Sequence, residues 1–367
     1  MTPRRIADIS LVGLFLAGVV AYGGASAWKA VADRVEFATA FHRPWKTLPN
    51  SVENLIVTHL AARDALITWH GRLKAEWLGA TPNPNVVLGR DGWLYFNHAA
   101  VDGYMSPHDQ AFPGRLDRWA ATLSARRAWL ADRGIHYLIV AAPDKQSIYP
   151  EYLPRLNRRR GPVPLDDLLA RCAGDPDLCV LDLRAPLRAA RPAGPLYLHT
   201  DSHWTPGGCY ASCAATVAAL ARWYPGLPPV PPLAFSSRPM QFGGGDLARM
   251  IGLTGRRSET VMDLALPTPR HARTVDEEVS CQSDVMLDHV TPRVWVNDAP
   301  GLPRVVLLGD SFAGDGFCSL LAEHCSRLVR VGSYNGQEAL IERERPDLVV
   351  FEFVERNVQS YVLQGPR

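Results

Sequence analysis

Three short apolar runs constrain this chain most: Tyr137 to Ala141, Val305 to Leu308 and Leu348 to Phe353. Each has the length of a strand rather than a helix and is rich in β-branched or aromatic residues. Nearly unbroken apolar character marks strands covered on both faces, as in parallel sheets. Helical spacing lies between them. Leu116, Trp119, Leu123 and Leu130 recur along one face of a helix over 114–133, with Gly134 placed to end it. A second helix is predicted over 207–223 and a third from Gly316 to Arg327, while Cys179 to Leu183 reads as a further, weaker strand. Strands alternating with helices predict a three-layer α/β/α domain with a mostly parallel sheet. Sites in such domains lie beyond the carboxyl ends of the strands.

Outside this alternation, Val86-Val87-Leu88 and Trp93-Leu94-Tyr95-Phe96 flank Gly89-Arg90-Asp91-Gly92, and an Asp-Gly turn between β-prone runs signals a hairpin. Residues 225–232 hold five prolines in eight positions and read as an extended connector. The start of the chain carries Arg4 and Arg5 and then an uncharged run from Ile9 to Trp28. At about 1.5 Å per residue such a run spans roughly 30 Å, enough for a hydrocarbon core. Flanking arginines place the N-terminus in the cytoplasm and the remainder outside it. Ala25-Ser26-Ala27 has the shape of a signal-peptidase site, but the apolar run is longer than a usual signal core, which favours an inner-membrane anchor. The expected organisation is therefore an N-terminal anchor or signal sequence over 1–28, a helical lead-in over 29–83, and one α/β domain over 84–367.

Charge excludes a nucleic-acid footprint: 39 basic against 37 acidic residues leave a net +2. A local cluster, Arg155, Arg158, Arg159 and Arg160, reads as a solvated loop or as a contact for an anionic polymer. Among seven cysteines, Cys172 and Cys179 flank a turn-rich loop and are the pair best placed for a disulfide in an oxidising compartment. Cys209 and Cys213 share a helix face, where a mutual bond is disfavoured, and Cys281, Cys318 and Cys325 have no evident partner. No Cys-x-x-Cys occurs, which argues against zinc-ribbon or thioredoxin-like chemistry.

Two segments carry chemistry. In the first, Gly309-Asp310-Ser311-Phe312 follows the strand at Val305–Leu308 and precedes a helix. A serine on such a turn is exposed, and N–H groups at the helix start face a developing oxyanion. The bland alternative is that Ser311 only caps the helix. The second is Tyr197-Leu198-His199-Thr200-Asp201-Ser202-His203-Trp204. A serine hydroxyl needs a base, and histidine needs a carboxylate to fix its tautomer and steady its cation. His203 and Asp201 supply both if the loop turns the carboxylate onto the ring. In a competing reading His199, Asp201 and His203 alternate along an extended strand and bind a divalent metal. A metallohydrolase would need a second cluster of histidines and carboxylates, and the sequence offers none.

These segments, with several others, resemble the exported polysaccharide O-acetyltransferases of the alginate type, the AlgJ and AlgX families, which carry a permuted SGNH-hydrolase-like domain. The resemblance rests on residues 87–95, on Pro143-Asp144-Lys145-Gln146-Ser147-Ile148-Tyr149-Pro150, and on Thr200-Asp201-Ser202-His203-Trp204. It continues through Gly245-Asp246-Leu247, Gly309-Asp310-Ser311-Phe312, Arg345-Pro346-Asp347-Leu348-Val349-Val350 and Val354-Glu355-Arg356. It implies Asp201 as the acid, His203 as the base and Ser311 as the nucleophile. Since AlgX-like proteins carry a carbohydrate-binding module after the last of these motifs, the chain resembles the AlgJ type more. The family fold also implies a second oxyanion donor, for which Asn335 is a candidate by chemistry, with a surface-turn asparagine as the plain reading. Lys145 and Tyr149 either line the acceptor groove or brace the loop after the Tyr137–Ala141 strand. The function implied is acetyl transfer to a hydroxyl of an exported polysaccharide, without a cofactor, in the periplasm. The acetyl groups would come from a membrane-bound O-acyltransferase partner. A deacetylase or carbohydrate esterase with the same residues, and a non-catalytic glycan-binding subunit of an export complex, are the alternatives.

Overall fold

The hairpin forms as its turn residues dictate. β1 (Val86–Leu88) pairs antiparallel with β2 (Leu94–Phe96), and Asp91 and Gly92 both adopt positive φ, 55° and 82°. That is the backbone a turn needs to match the right-handed twist of its strands. The structure, a computed structural model, describes Gly24 and residues 63–97, 114–157, 162–231, 235–264, 270–282, 287 and 290–366. The chain divides into two compact units, Met1–Leu78 and Gly79–Arg367. In the first, helix α1 (Arg63–Arg72) continues into a π-helical turn, Leu73–Trp77. Among the described residues no helix is long and apolar enough to cross a membrane. The run Ile9–Trp28, read as an anchor or signal sequence, lies outside them except for Gly24.

The second unit is built on β3 (His136–Ala142), β4 (Cys179–Asp182), a separate ribbon of β5 (Phe235–Phe242) and β6 (Glu259–Leu264), then β7 (Arg273–Val275), β8 (Arg293–Val296), β9 (Arg304–Gly309), β10 (Arg327–Gly332) and β11 (Leu348–Val354). The main sheet has seven strands in the order β4-β3-β11-β9-β10-β8-β7. Neighbours from β4 to β10 run parallel, but β8 pairs antiparallel with β10, and β7 with β8. The sheet is therefore mixed, not mostly parallel as the sequence suggests. The cause is connection length. Residues 297–303 between β8 and β9 form no helix and are too short a link for the crossover of about a dozen residues or more that would let β8 run parallel to β9 and to the β10 strand between them.

Side chains alternate across the central strands. Leu138, Val140, Leu307 and Val350 face one core, and Tyr137, Ile139, Val306, Leu308 and Phe351 face the other. The second core is closed by α2 (Arg115–Ala131) and α4 (Pro164–Cys172), which present Trp119, Leu123, Leu130, Leu165 and Leu168. Helix α3 (Lys145–Ile148) is a single turn after β3. The first core is covered by α5 (Arg184–Ala190), α6 (Pro206–Leu220) and α8 (Asp315–Leu321), through Leu187, Val217 and Phe317; the short α7 (Asp246–Met250) lies between α6 and α8 in sequence. The three-layer α/β/α arrangement follows from this alternation, since each face of the sheet must be covered.

Two local expectations are corrected. The helix expected from Gly316 to Arg327 ends at Leu321, and Arg327 opens β10. Arg330 hides that strand, because a charge in mid-run breaks the apolar pattern. It is nevertheless buried, donating to the Thr291 carbonyl at 2.6 Å and pairing with Asp315 at 3.0 Å. The Cys172–Cys179 disulfide is not formed, and all seven cysteines are free. Cys172 packs into one core while Cys179 packs against the other, across the sheet, and its sulfur accepts from Arg222.

Candidate active site

Ser311 sits one residue beyond Asp310, at the carboxyl end of β9, on a 3-10 turn (Ser311–Ala313) that leads into α8. The cap here is Asp310, whose Oδ1 accepts the Phe312 N–H at 2.8 Å. Its Oδ2 accepts the Tyr334 hydroxyl at 2.5 Å, the Val354 N–H at 2.9 Å and Asn357 Nδ2 at 3.3 Å. Below it, Glu352 is fully buried and its Oε2 accepts the Asp310 N–H at 3.1 Å. Burial and the Asp310 charge hold its carboxyl well above the usual range. These bonds tie the turn to β11 and to the loop after β10. Ser311 is thus freed from capping, and its Oγ lies 2.8 Å from His203 Nε2.

The 199–203 segment is a tight loop, not a strand, so the expected alternation of His199, Asp201 and His203 on one face does not occur. Asp201 folds back on His203 instead. Its Oδ1 accepts both the His203 backbone N–H at 2.9 Å and Nδ1–H at 2.6 Å, and its Oδ2 accepts the Asp246 N–H at 2.9 Å. Burial pushes this carboxyl up, but its hydrogen bonds to His203 and the His203 charge outweigh that and hold it well below the usual range. With Nδ1 donating to Asp201, Nε2 is left as an acceptor for the Ser311 hydroxyl, a tautomer assigned from the bonding network. Trp204 anchors the loop, its ring 4.9 Å from Phe312 and 6.0 Å from Phe317.

Asp246 is a second carboxylate at the site, its Oδ2 3.8 Å from His203 Nδ1. It accepts the Ser202 N–H at 2.7 Å and the Ser202 hydroxyl at 2.5 Å, so it braces the loop from the far side. Asp201, His203 and Asp246 offer ligand atoms within 4.8 Å of one another. Among the described residues this is the nearest approach to the metal cluster considered above, with Asp246 in the place of His199, and the hydrogen bonds just described already engage its donor atoms.

Lys145 braces the loop rather than lining a groove. Only 2% exposed, it gives its ammonium to the carbonyls of Leu198, His199 and Asp201 at 2.8, 3.1 and 2.7 Å. Burial draws its pKa down to about 7, against the opposing pull of Asp246, Asp201 and Glu259. Tyr149 is also buried; its hydroxyl accepts the Leu196 N–H at 3.0 Å, and its ring borders a cavity. Asn335 lies on the loop after β10 with its N–H bonded to Ser333 Oγ at 3.0 Å, and no bond among the described residues joins its side chain to Ser311 or His203.

Sequence reasoning left Asp246, Glu259, Tyr334 and Glu352 without roles. Glu259, on β6, accepts the N–H groups of His199 and Thr200 at 2.7 and 2.9 Å. The one available signal was the Gly245-Asp246-Leu247 motif, and Gly245 explains its first residue. A Cβ there would stand 2.2 Å from Asp201 Oδ2 and 2.5 Å from its Cγ, with ordinary backbone angles (φ −94°, ψ −158°). Gly245→Ala is expected to displace the Asp201 carboxylate, lowering turnover at least about a hundredfold at a stability cost of about 1–3 kcal/mol. Gly243→Ala, where an added Cβ meets nothing within 4 Å, is the control that should leave both thermal midpoint and kcat unchanged. Equal effects from the two would rule out the steric account.

A strand-turn-helix serine hydrogen-bonded to a histidine, and through it to a carboxylate, is the arrangement used for serine-dependent acyl transfer on several unrelated folds. The model of the AlgX acetyltransferase SGNH hydrolase-like domain matches residues 86–353, and the chain belongs to that family. Curated relatives include "Probable alginate O-acetylase AlgJ" of Pseudomonas aeruginosa, 33% identical over 132 residues, covering 34% of this chain and 30% of the relative. The protein of that name from Pseudomonas fluorescens is 36% identical over 131 residues, with coverage of 34% and 30%. The matched stretch spans about a third of the length of these relatives. Among solved structures, the O-acetyltransferase domain of Pseudomonas putida AlgJ aligns over 76% of this chain and 93% of its own, with 21% identity and a TM-score of 0.53. Bacillus cereus PatB1 aligns over 75% and 98%, with 13% identity and a TM-score of 0.53. These likenesses concern the fold.

Proposed function

We propose that the chain is a polysaccharide O-acetyltransferase working through an acetyl-serine intermediate. In the first half-reaction the Ser311 oxygen attacks the carbonyl carbon of an acetyl donor as His203 Nε2 takes its proton. The donor's leaving group departs with that proton, and the acetyl group remains as an ester on Ser311. In the second, His203 removes the proton of a sugar hydroxyl, whose oxygen attacks the ester and restores Ser311. Asp201 keeps the imidazole oriented and steadies its cation in both steps. General-base assistance of this kind is worth roughly 10²–10⁴ in rate. The Ser311 N–H, unused by the hydrogen bonds of its turn among the described residues, is the first oxyanion donor in this reading; Asn335 is a candidate for the second.

The observation that carries the reading is the 2.8 Å and 2.6 Å pair of hydrogen bonds running Ser311–His203–Asp201 in a chain of this family. Activity outside the cytoplasm follows from the Ile9–Trp28 run, which we read as the anchor in the inner membrane. An acetyl donor made in the cytoplasm must then be relayed by a membrane-bound acyltransferase partner. The test is to incubate the protein with p-nitrophenyl acetate and candidate oligosaccharides, then follow the acetyl group by mass spectrometry. Acetyl on Ser311 and then on sugar is the expected result. Acetate released only to water would make the chain an esterase, and no acetyl-enzyme at all would leave a glycan-binding subunit.

A further inference from the structure

The loop that carries Asp201 and His203 is wrapped around a buried ammonium. Lys145 opens α3, and its side chain carries Nζ between the hairpin and the loop, 5.5 Å from the Trp93 ring and 5.3 Å from the Tyr95 ring. There it donates to the carbonyls of Leu198, His199 and Asp201, all within 3.1 Å. An ammonium has three N–H donors and no acceptor, so donors and carbonyls match one to one. Three carbonyl oxygens that converge on one point repel each other, and the cation offsets this. The bond to the Asp201 carbonyl matters most for chemistry. The same residue turns its carboxylate onto His203, accepting Nδ1–H at 2.6 Å and the backbone N–H at 2.9 Å. What fixes the Asp201 backbone therefore fixes the ring that faces Ser311.

The surroundings make this charge losable. Asp201 in the loop, Asp246 on α7 and Glu259 on β6 favour the ammonium, while burial opposes it and prevails, drawing the pKa down to about 7. His199 is the other basic group of the loop in its field, and burial draws that imidazole down as well. On its own element, Asp144 is engaged by Arg356, and Glu355 accepts the Asp144 N–H. A neutral amine keeps two donors and turns a lone pair toward the third carbonyl. One carbonyl must then swing away, and the three carboxylates lose their counter-charge. Misplacing a catalytic group by about 1 Å can cost on the order of 10² in rate. Unfolding is a different matter. The folded chain gives up this proton at lower pH than the unfolded chain, so above about 7 the Lys145 contribution to stability rises with pH.

We propose that Lys145 is a proton-linked positioning residue: its ammonium holds Asp201 and His203 in register, and loss of one proton stops acetyl transfer while the chain stays folded. The inference rests on the acetyltransferase reading, so one of its measurements needs no turnover. In the full-length protein, acetyl-enzyme formation from p-nitrophenyl acetate, followed by intact mass, should fall about tenfold for each pH unit above a midpoint near 7, with a melt at each pH still showing folded protein. Lys145→Met should be slowed about a hundredfold at pH 7 and should lack the alkaline fall. Lys145→Arg, which keeps its charge and its donors, should recover part of the rate and lack the fall too. In Ser311→Ala protein, the downfield proton NMR signal of His203 Nδ1–H should move with the same midpoint, and stay still when Lys145→Arg is added. A wild-type rate that stays level from about pH 7 to 9, an alkaline fall that survives in either Lys145 variant, or a His203 signal unmoved across that range would overturn the proposal. Failure of the acetyltransferase reading would look different, as no acetyl-enzyme at any pH beside an intact NMR transition.

Discussion

Ser311→Ala is expected to abolish acetyl-enzyme formation and to lower transfer by about 10⁴-fold or more, with the fold intact. The size follows from the chemistry: without the oxygen there is no atom to carry the acetyl group, and the residual rate is what binding and oxyanion donors give to direct attack. The fold should survive because Ser311 holds nothing up. Its hydroxyl bonds to His203, on a turn held by the five hydrogen bonds that join Asp310 to Phe312, Tyr334, Val354, Asn357 and Glu352. Loss of one partly exposed hydrogen bond is worth about 1 kcal/mol. Intact-mass measurement of the acetylated species, beside a thermal melt, checks both halves. An alanine protein that still gains an acetyl group would move the nucleophile elsewhere.

Much of this site is visible in the chain because its parts are local. Ser311 follows a strand and precedes a helix within a dozen residues, and Asp201 stands two residues from His203, so sequence alone brings each group near its partner. What stays hidden is what comes from far along the chain. Asp246 reaches Asp201 across 45 residues, Tyr334 reaches Asp310 across 24, and Glu352 lies 42 from Asp310. No spacing rule reports such meetings, which are fixed by the order of strands in the sheet. The mixed character of the sheet was hidden for a related reason. β7 is a three-residue edge strand whose residues are exposed or only partly buried, and Arg330 interrupts the pattern of β10. Lys145 was ambiguous because the same ammonium can bind a substrate or three carbonyls, and only the packed loop decides between them.

Two carboxylates border His203, and substitution by asparagine separates their roles. Asp201→Asn is expected to cost about 10³–10⁴ in kcat, whichever way the amide turns. If its oxygen stays toward His203, the NH₂ group faces the Asp246 N–H, donor against donor, where Oδ2 accepted at 2.9 Å. If it flips, the NH₂ group faces the His203 N–H and Nδ1, which had been donors at 2.9 and 2.6 Å. The ring must then carry its proton on Nε2, pointing at Ser311, and cannot act as a base. A buried donor left unsatisfied adds about 1–3 kcal/mol of instability. Asp246→Asn meets no such conflict. Its oxygen can keep the Ser202 N–H at 2.7 Å while its NH₂ donates to the Ser202 hydroxyl, which rotates to accept. Less than about a tenfold fall in kcat is expected, because the asparagine still braces the loop and Asp201 still holds the ring. Rates with p-nitrophenyl acetate for the two variants decide the matter. Losses of equal size would mean that the imidazole depends on both carboxylates, and that the site works as a tetrad rather than through Asp201 alone.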